Sequence, residues 1–586
     1  MCGILAVIAK DGSVDPPACR RALSAMYWRG PDFAFSSVWE DRLFLGQTVL
    51  SITGDPRAGL SEYQRSRSGR YEVLYNGEIY NFDRLEARFL ASPGLAARYG
   101  TDTEVLVNLH EVLAPADVPP MLDGMYAYAL FDREARQLHV ARDVQGEKSL
   151  YVHEDAERVV IASEIRALRT LVPDIELDPQ ALRDYFRTRH LMLFDRTVHR
   201  GVRELRPGHL EMLDLDTFKW SETRVSRLRD WIEPQRLADN GRRPVESMVD
   251  ELEGLLAACV REMIPARRYA AVVSGGVDSS LLARHLVTHG DPDLLVAVNH
   301  VGKDRISADL AGFERPLGRP IRTLSVDAAG YAAEIARCQQ TCGSPLHAHS
   351  FVPQSQQCAV VRSAGCRVLF GGEGADELFG GYEAYLGAHA PGRYSPSPYT
   401  AHQAPRVAFR KDAPEALQAA LAAAWQEALD AYAFVENDED RTALAMMYCD
   451  AAFQLPAVGL RGADLMSMMW SVETRSVYLR RPLVAFALNL PRSLKADRDG
   501  GTPPLLRAKP LLKRLFIRYY GSALLVEKQG FAGFPNEAAT WLGAPEDYLV
   551  VPSLGIEPGS LVDAWADRPT AWKLINLEYF LRQRVG

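Results

Sequence analysis

The chain has 586 residues, which is too many for a single hydrophobic core, so at least two domains are expected. Its 47% hydrophobic and 24% charged residues are typical of a globular protein in water, and a net charge of −8 argues against a general nucleic-acid-binding surface. The sequence shows neither an apolar run near the roughly eighteen residues of a membrane span nor a signal-peptide pattern, so a cytoplasmic location is expected. Eight cysteines without paired spacing argue against a zinc site or a disulfide scaffold.

The first feature along the chain is a thiol at the second position. Because the Cys2 side chain is small, removal of Met1 is expected, and Cys2 would then carry a free α-amine. Such an amine has an ordinary pKa of about 7.7 to 8, so it can act as base for the neighbouring thiol. Cys2 would then supply both nucleophile and base, although an N-terminal cysteine alone is weak support for catalysis.

A strand that runs into a turn is predicted at residues 75–81 (YNGEIYN). The Asn76 side chain and the Gly77 N–H can point together at one oxygen, which is the chemistry of an oxyanion hole. An ordinary hairpin turn is the alternative, since Asn-Gly is most often a turn. Further along, the Asp102 carboxylate can pair with a substrate ammonium.

The chain divides at a polar, Arg-rich stretch, residues 214–245, which predicts a linker between domains at 1–213 and 246–586. Beyond it, predicted strands alternate with helical stretches, which indicates a parallel sheet covered by helices. The segment from Pro414 onward is expected to be largely helical. The predicted strands are 269–273, 294–298, 322–326 and 367–370, preceded by a helix over 249–263.

The strand at 269–273 is followed by a Gly-rich turn, SGGVDSS, and a predicted helix over 279–287. In such a turn the backbone N–H groups and the helix N-terminus point towards the same site, which favours binding of a phosphate. An ordinary turn between strand and helix is the alternative, and the spacing of a Walker A loop is absent. The Asp278 carboxylate can hold Mg²⁺. The predicted ATP-binding residues of this segment are Val273, Ser274, Gly275, Gly276, Asp278, Ser279 and Ser280.

A second Gly-rich loop follows the predicted strand at 367–370. It begins with Gly371 and Gly372, which we assign to the ATP site, and continues with the acidic residues Glu373 and Asp376. Carboxylates at the C-terminal end of a parallel strand are well placed for Mg²⁺ and for reacting groups. Acids gathered between glycines are unfavourable unless a cation neutralises them, so Asp376 joins Asp278 as a predicted metal ligand.

These motifs together resemble the glutamine-hydrolysing asparagine synthetases, which are class II amidotransferases. SGGVDSS at 274–280 resembles the pyrophosphate loop of ATP pyrophosphatases, and GEGADELFGGY at 372–382 and EKQGF at 527–531 resemble synthetase signatures. The resemblance implies an N-terminal α+β domain, an αββα sandwich of the Ntn-hydrolase type. It also implies a C-terminal α/β domain of the ATP-pyrophosphatase type, with a parallel sheet, helices and a helical end.

For the first domain, the resemblance implies that Cys2 attacks the carboxamide of glutamine while Asn76 and Gly77 hold the oxyanion. Asp102 would hold the amino group of glutamine, and Glu78 is a further residue implied to bind glutamine. Ammonia would then pass inward to the second domain.

For the second domain, the resemblance implies that ATP and Mg²⁺ convert a carboxylate into an acyl-adenylate, with release of pyrophosphate and then AMP. Glu373 and Lys528 are the catalytic residues implied there, Lys528 as the cation beside the reacting α-phosphate. The implied partners are glutamine or ammonia, a carboxylate acceptor and ATP, with neither nucleic acid nor membrane. A homodimer is the assembly we consider.

Three departures from the family pattern bear on substrate. Where the family has an Arg that binds the α-carboxylate of glutamine, the chain has Val49. Three alternatives follow: glutamine hydrolysis is slow, another Arg such as Arg29 or Arg57 binds the carboxylate, or free ammonia is the preferred donor. The family FLD becomes YLR at 478–480, and a DEP-type segment becomes GSP at 343–345. Both changes remove negative charge, from which we predict an acceptor other than aspartate.

Two other classes of function remain open at this stage. One is an ATP-dependent ligase with a degenerate first domain, similar to β-lactam synthetases and lasso-peptide cyclases, although retention of Cys2 counts against it. The other is a non-catalytic homologue, which the intact SGGVDSS, Glu373, Asp376 and Lys528 argue against.

Overall fold

The structure is a computed structural model that describes residues 1–53, 62, 64–92, 94–188, 194–299, 306–387, 406–498, 502–526, 542–544 and 547–585. The first part of the chain forms two antiparallel sheets with strand orders β2-β3-β1-β8-β7-β9 and β11-β10-β6-β5-β4. The strands are β1 (Cys2–Ala9), β2 (Phe33–Trp39), β3 (Leu43–Val49), β4 (Tyr71–Ile79), β5 (Gly124–Asp132), β6 (Gln137–Arg142), β7 (Tyr151–Glu154), β8 (Arg158–Ala162), β9 (Val202–Glu204), β10 (His209–Asp214) and β11 (Trp220–Arg224).

The two sheets pack face to face and helices cover their outer faces. Ile4, Ala6 and Ile8 of β1 lie in a core with Ala127 and Ala129 of β5 between the sheets. The alternate residues of β1 pack with helices on the other side, so every residue of this central strand is buried. The layers are therefore αββα, as predicted. The helices are α1 (Pro16–Ser24), α2 (Phe82–Phe89), α3 (Asp102–Leu109), α4 (Ile165–Leu171) and α5 (Pro179–Tyr185).

The stretch 214–245, predicted as a linker, is structured. It contains β11, which pairs with β10, and helix α6 (Pro234–Asn240). The second sheet therefore continues past residue 213. The pattern misled because β11 is an edge strand with mostly exposed polar residues, and edge strands commonly carry charged side chains.

The second part of the chain holds a parallel sheet with strand order β14-β13-β12-β15-β16. Helices alternate with its first strands, as the sequence pattern predicts. The strands are β12 (Tyr269–Val272), β13 (Leu294–Asn299), β14 (Ile321–Ser325), β15 (Val368–Gly371) and β16 (Glu473–Ser476). The helices are α7 (Val245–Met263), α8 (Val277–His289), α9 (Ile306–Leu317), α10 (Ala328–Cys342), α11 (Phe351–Ser363) and α12 (Ala375–Phe379).

The rest of the chain is largely helical, as predicted. One continuous helical stretch, Asp438–Met468, is the only one among the described residues long and apolar enough to span a membrane, and 78% of its apolar window is buried inside the fold. That burial is typical of a core helix. The helices are α13 (Glu415–Ala431), α14 (Asp438–Cys449), a π-helix (Asp450–Leu460), α15 (Arg461–Met468), α16 (Arg481–Leu488), α17 (Pro510–Tyr520), α18 (Val550–Leu554), α19 (Leu561–Ala566) and α20 (Arg568–Val585).

Buried ion pairs join the two parts of the chain. Asp464 of α15 accepts two hydrogen bonds from Arg29, at 2.9 and 3.0 Å, and lies 3.1 Å from the Lys148 ammonium. Burial alone would raise the pKa of Asp464, but Arg29 and Lys148 outweigh it and lower the pKa to about 2. Since the folded-state pKa is depressed, this carboxylate stabilises the fold above about pH 4, and the contribution is lost as the pH falls towards 2.

We expect Asp464→Ala to lower the free energy of unfolding at pH 7 by about 3 to 5 kcal/mol, because the buried Lys148 and Arg29 both lose this carboxylate and Arg29 keeps only Glu164. Denaturant unfolding followed by circular dichroism measures the change. Glu176→Ala is the control, since Glu176 and Arg200 form a pair whose side chains are 70% and 59% exposed. Its cost should stay below about 1 kcal/mol, and an equal cost for both variants would contradict the assignment.

Candidate active sites

Cys2 opens β1 and lies beside Asn76 of β4. The Cys2 backbone N–H donates to Asn76 Oδ1 at 3.0 Å, whereas Asn76 Nδ2 is buried without a hydrogen-bond partner among the described residues. Burial raises the pKa of the Cys2 thiol, and the α-amine of the chain opposes that rise. A buried amide donor without a partner beside a thiol is the group that an oxyanion would satisfy.

The strand predicted over 75–81 does run into a turn, at Tyr80 and Asn81, but the placement of Asn76 and Gly77 in that turn was wrong. Both lie inside β4, where they pair with Ala127 and Tyr126 of β5. A Cβ atom at Gly77 would stand 2.2 Å from the Met125 carbonyl oxygen. The glycine is therefore required by the close approach of the neighbouring strand rather than by turn geometry.

The two carboxylates predicted to bind glutamine, Glu78 and Asp102, lie at the end of β4 and the start of α3. Asp102 accepts hydrogen bonds from the Tyr75 hydroxyl at 2.8 Å and the Ile79 N–H at 3.1 Å. Glu78 accepts one from the Thr53 hydroxyl at 2.6 Å. Burial raises the pKa of both, that of Glu78 to about 7. Both are buried acids poised to receive a cation.

Val49 is the strand partner of Cys2 in the β1–β3 register, so its side chain lies on the same face of the sheet as the thiol. The Arg expected here in the family is replaced by an apolar side chain. Arg29 does not compensate, because its guanidinium is committed to Glu164, to Asp464 and, at 3.0 Å, to the Cys2 carbonyl oxygen. Arg57 lies outside the described residues.

Strand β16, which sequence reasoning missed, brings two charged residues of the second part to this site. Glu473 Oε2 lies 3.5 Å from the α-amine of Met1. Arg475 Nη2 lies 3.4 Å from Glu78 Oε2. The strand is only four residues long, so it gave no periodic signal.

At the second site, the SGGVDSS loop connects β12 to α8 as predicted. The Ser274 and Ser279 hydroxyls hydrogen-bond at 2.9 Å, and the Ser279 hydroxyl also accepts from the Ser274 N–H at 3.1 Å. Gly275 has a φ of +77°, a conformation that glycine adopts without strain. Helix α8 begins at Val277 and presents its N-terminus to this loop.

The two predicted metal ligands converge on one cation, Lys509. Its ammonium lies 2.5 Å from Asp278 Oδ2 and 2.6 Å from Asp376 Oδ1. Although burial opposes the charge, the two carboxylates raise the pKa of Lys509 well above its usual value. A Cβ atom at Gly381 would lie 1.9 Å from the Asp376 carboxylate and 2.2 Å from the Lys509 side chain, so glycine is needed for this packing.

Lys509 was missed by sequence reasoning. Its partner Asp278 is 231 positions away, and a lone lysine before Pro510 carries no motif. The available signal was the pair of acids itself, which requires a cation.

Glu373 follows β15 and is half-buried. Burial raises its pKa, although hydrogen bonds from its own backbone and from the Ser476 side chain oppose the rise. One of its oxygens, Oε2, has no hydrogen-bond partner among the described residues. Lys528, the other predicted catalytic residue, lies outside the described residues.

Each half of the chain matches the model of a known protein family. Residues 1–224 match the family model of a glutamine amidotransferase domain, and residues 251–549 match that of asparagine synthase. The arrangement is that of a glutamine amidotransferase domain followed by a synthase domain. Because the second match spans just over half of its residues, the chain belongs to the asparagine synthase family.

Curated relatives share part of their length with this chain. A Mycobacterium tuberculosis protein, provisionally named an asparagine synthetase [glutamine-hydrolyzing], is 30% identical over 66% of this chain, and the chain spans only 61% of that relative. Asparagine synthetase [glutamine-hydrolyzing] 3 of Bacillus subtilis is 24% identical, and the alignment covers 84% of this chain and 82% of the relative's length. Amidase chry2 of Gibberella zeae is 26% identical over 66% of this chain and 60% of its own.

Among solved structures, the allosteric regulatory enzyme of purine biosynthesis aligns with 55% of this chain and 80% of its own. The identity is 15% and the TM-score is 0.30. A likeness of that size carries no argument, and the fold class stands on the layers described above.

The two segments that depart from the family pattern, 478–480 and 343–345, each contact a residue of the first half of the chain. Arg480 donates to Asp123 at 2.8 Å and to Glu262 at 2.6 Å. The Gly343 carbonyl oxygen lies 2.8 Å from His199 Nε2. These residues therefore join the two halves, and the changed acceptor stays a prediction.

Proposed function

We propose that the protein is a glutamine-dependent ligase that amidates a carboxylate through an acyl-adenylate, with AMP and pyrophosphate as products. The observation that carries the proposal is that Asp278 and Asp376 both approach the Lys509 ammonium beside the SGGVDSS loop, whose sequence is typical of phosphate binding. Cys2 lies next to Asn76, whose Nδ2 has no hydrogen-bond partner within the described part of the chain, and this supports the donor half-reaction.

In the donor site, the thiol of Cys2 attacks the carboxamide carbon once Met1 has been removed. The free α-amine takes the thiol proton and returns it to the leaving ammonia. Asn76 Nδ2 and the Gly77 N–H receive the negative charge that develops on the carbonyl oxygen. Glu78 and Asp102 bind the ammonium of glutamine, which fixes the amide against the thiol.

In the second site, the SGGVDSS loop and the N-terminus of α8 bind the phosphates of ATP. Asp278 and Asp376, whose carboxylates both approach the Lys509 ammonium, would hold Mg²⁺, which would supply positive charge to the phosphates of ATP. Glu373, with its raised pKa, accepts a proton from the amine that attacks the acyl-adenylate. Lys528 is proposed as a further cation at the α-phosphate.

A ligase that takes ammonia or another amine directly is the second candidate. Val49 favours it, because the pocket lacks at that position the cation expected for the glutamine α-carboxylate. A lost charged contact of this kind weakens binding by about 2 to 5 kcal/mol.

The test is product analysis by mass spectrometry with ATP, Mg²⁺, a panel of carboxylates and either amide-¹⁵N glutamine or ¹⁵N ammonium. We expect labelled amide, AMP and pyrophosphate, with more product from another carboxylate than from aspartate. ADP and orthophosphate would overturn the adenylate mechanism. Asparagine formed faster than any other product would overturn the changed acceptor, and label incorporated from ammonium alone would favour the second candidate.

A further inference from the structure

Strand β16 lies between the two sites. One of its faces contacts residues of the donor site, and the other contacts Glu373 of the second site. Side chains alternate along a strand, so Glu473 and Arg475 share a face. Glu473 approaches the α-amine of Met1 and Arg475 approaches Glu78, both in the first half of the chain. Ser476, on the other face, hydrogen-bonds Glu373 in the second half.

The Arg475 guanidinium is held firmly. Its Nε donates to Glu473 Oε1 at 2.7 Å, its Nη1 donates to the Met263 carbonyl oxygen, and the Tyr80 ring lies 5.5 Å away. Its side chain is only 3% exposed. The remaining nitrogen, Nη2, is the one nearest Glu78 and has no hydrogen-bond partner among the described residues.

From this geometry we propose that Arg475 is a positioning residue for the donor pocket, holding the Glu78 carboxylate in the charged state that binds the donor ammonium. The inference rests on the proposed function, in which Glu78 receives that ammonium. It follows that residues 1–224 alone do not form a complete donor site, because the cation comes from the second half.

The charges around Glu78 support the assignment. Asp102, Glu473, Tyr75 and Tyr80 also face this carboxylate and are neutral or negative. The positive groups are Arg475 and the α-amine. Burial brings the pKa of Glu78 to about 7 even with Arg475 present. Loss of Arg475 would raise that pKa further, so at neutral pH Glu78 would be a neutral acid that does not attract an ammonium.

The test is the pH dependence of glutamate release from L-glutamine by the full chain, between pH 6.5 and 8.5. For Arg475→Gln we expect KM to rise about fivefold at pH 7, with little change in kcat, because a pKa raised by about one unit from about 7 lowers the ionised fraction of Glu78 from about a half to about a tenth. The KM difference should fall below about twofold at pH 8.5, where Glu78 is mostly ionised in both proteins. Arg475→Lys, which keeps the charge, should lie between wild type and Arg475→Gln at each pH.

Arg480→Gln is the matched control, since Arg480 is also a buried arginine that pairs with two acids, Glu262 of its own half and Asp123 of the first half. The Arg480→Gln variant should show the same dependence of KM on pH as the wild-type protein. A KM rise that is the same at every pH, in Arg475→Gln or Arg475→Lys, would overturn the inference. Failure of the wild-type protein to release any glutamate would instead refute the proposed function.

Discussion

Cys2→Ala should abolish glutamate release from glutamine, by at least about 10⁴-fold, while amidation driven by ammonium continues. The reason is that the nucleophile of the donor half-reaction is removed, and loss of a nucleophile costs nearly all of the rate. Ammonium enters after that step, so the second site still works. The measurements are glutamate release and pyrophosphate release, each with glutamine and with ammonium chloride.

Cys19→Ala is the control for loss of a thiol. Cys19 is buried in α1, where burial raises its pKa to about 11, and it takes no part in the proposed chemistry. Both activities should survive that change. Unaltered glutamine turnover in Cys2→Ala would rule out the proposed nucleophile.

Asp278→Asn and Asp376→Asn should each lower pyrophosphate release by at least about a hundredfold and leave glutamine hydrolysis intact. Loss of a residue that only hydrogen-bonds a metal ligand already lowers metal affinity or activity by about 10 to 100-fold. Asp278 and Asp376 are proposed as direct ligands, so the loss should be larger. The effect should be weakest at high Mg²⁺ concentration. Titration of Mg²⁺ in a pyrophosphate assay with the best carboxylate of the panel measures it.

Asp293→Asn is the matched control. Asp293 is a carboxylate of the same domain, ion-paired at 2.8 Å with a mostly exposed Arg268, and lies apart from both loops. It should leave pyrophosphate release unchanged. If Asp278→Asn and Asp376→Asn also leave it unchanged at limiting Mg²⁺, the metal assignment fails.

Much of the second domain could be predicted because its signals are local. The helix predicted from residue 279 begins at Val277, and the strand predicted at 269–273 is observed as Tyr269–Val272. Hydrophobic runs and Gly-rich turns encode such elements within a few residues. The turn at Asn76-Gly77 was wrong because pairing with β5 outweighed the local preference of Asn-Gly.

Residues whose roles depend on distant partners were not predictable in this way. The sequence did not show that Arg480 pairs with Asp123, which is 357 positions away, and the changed acceptor stays a prediction. Arg475 lies in a segment that follows the family pattern, but its role was not predicted, since its partner Glu78 belongs to the other half of the chain. A charge in a sequence has a sign but no partner until the fold supplies one.

The sequence by itself determined the two-domain plan, the thiol at position 2 and the two Gly-rich loops with their acids, because each depends on neighbouring residues. The tertiary structure decided which cation neutralises those acids and which arginine serves the donor pocket. It did so because residues hundreds of positions apart form ion pairs only when the strands and helices that carry them pack together. Lys509 and Arg475 therefore become functional candidates through packing alone.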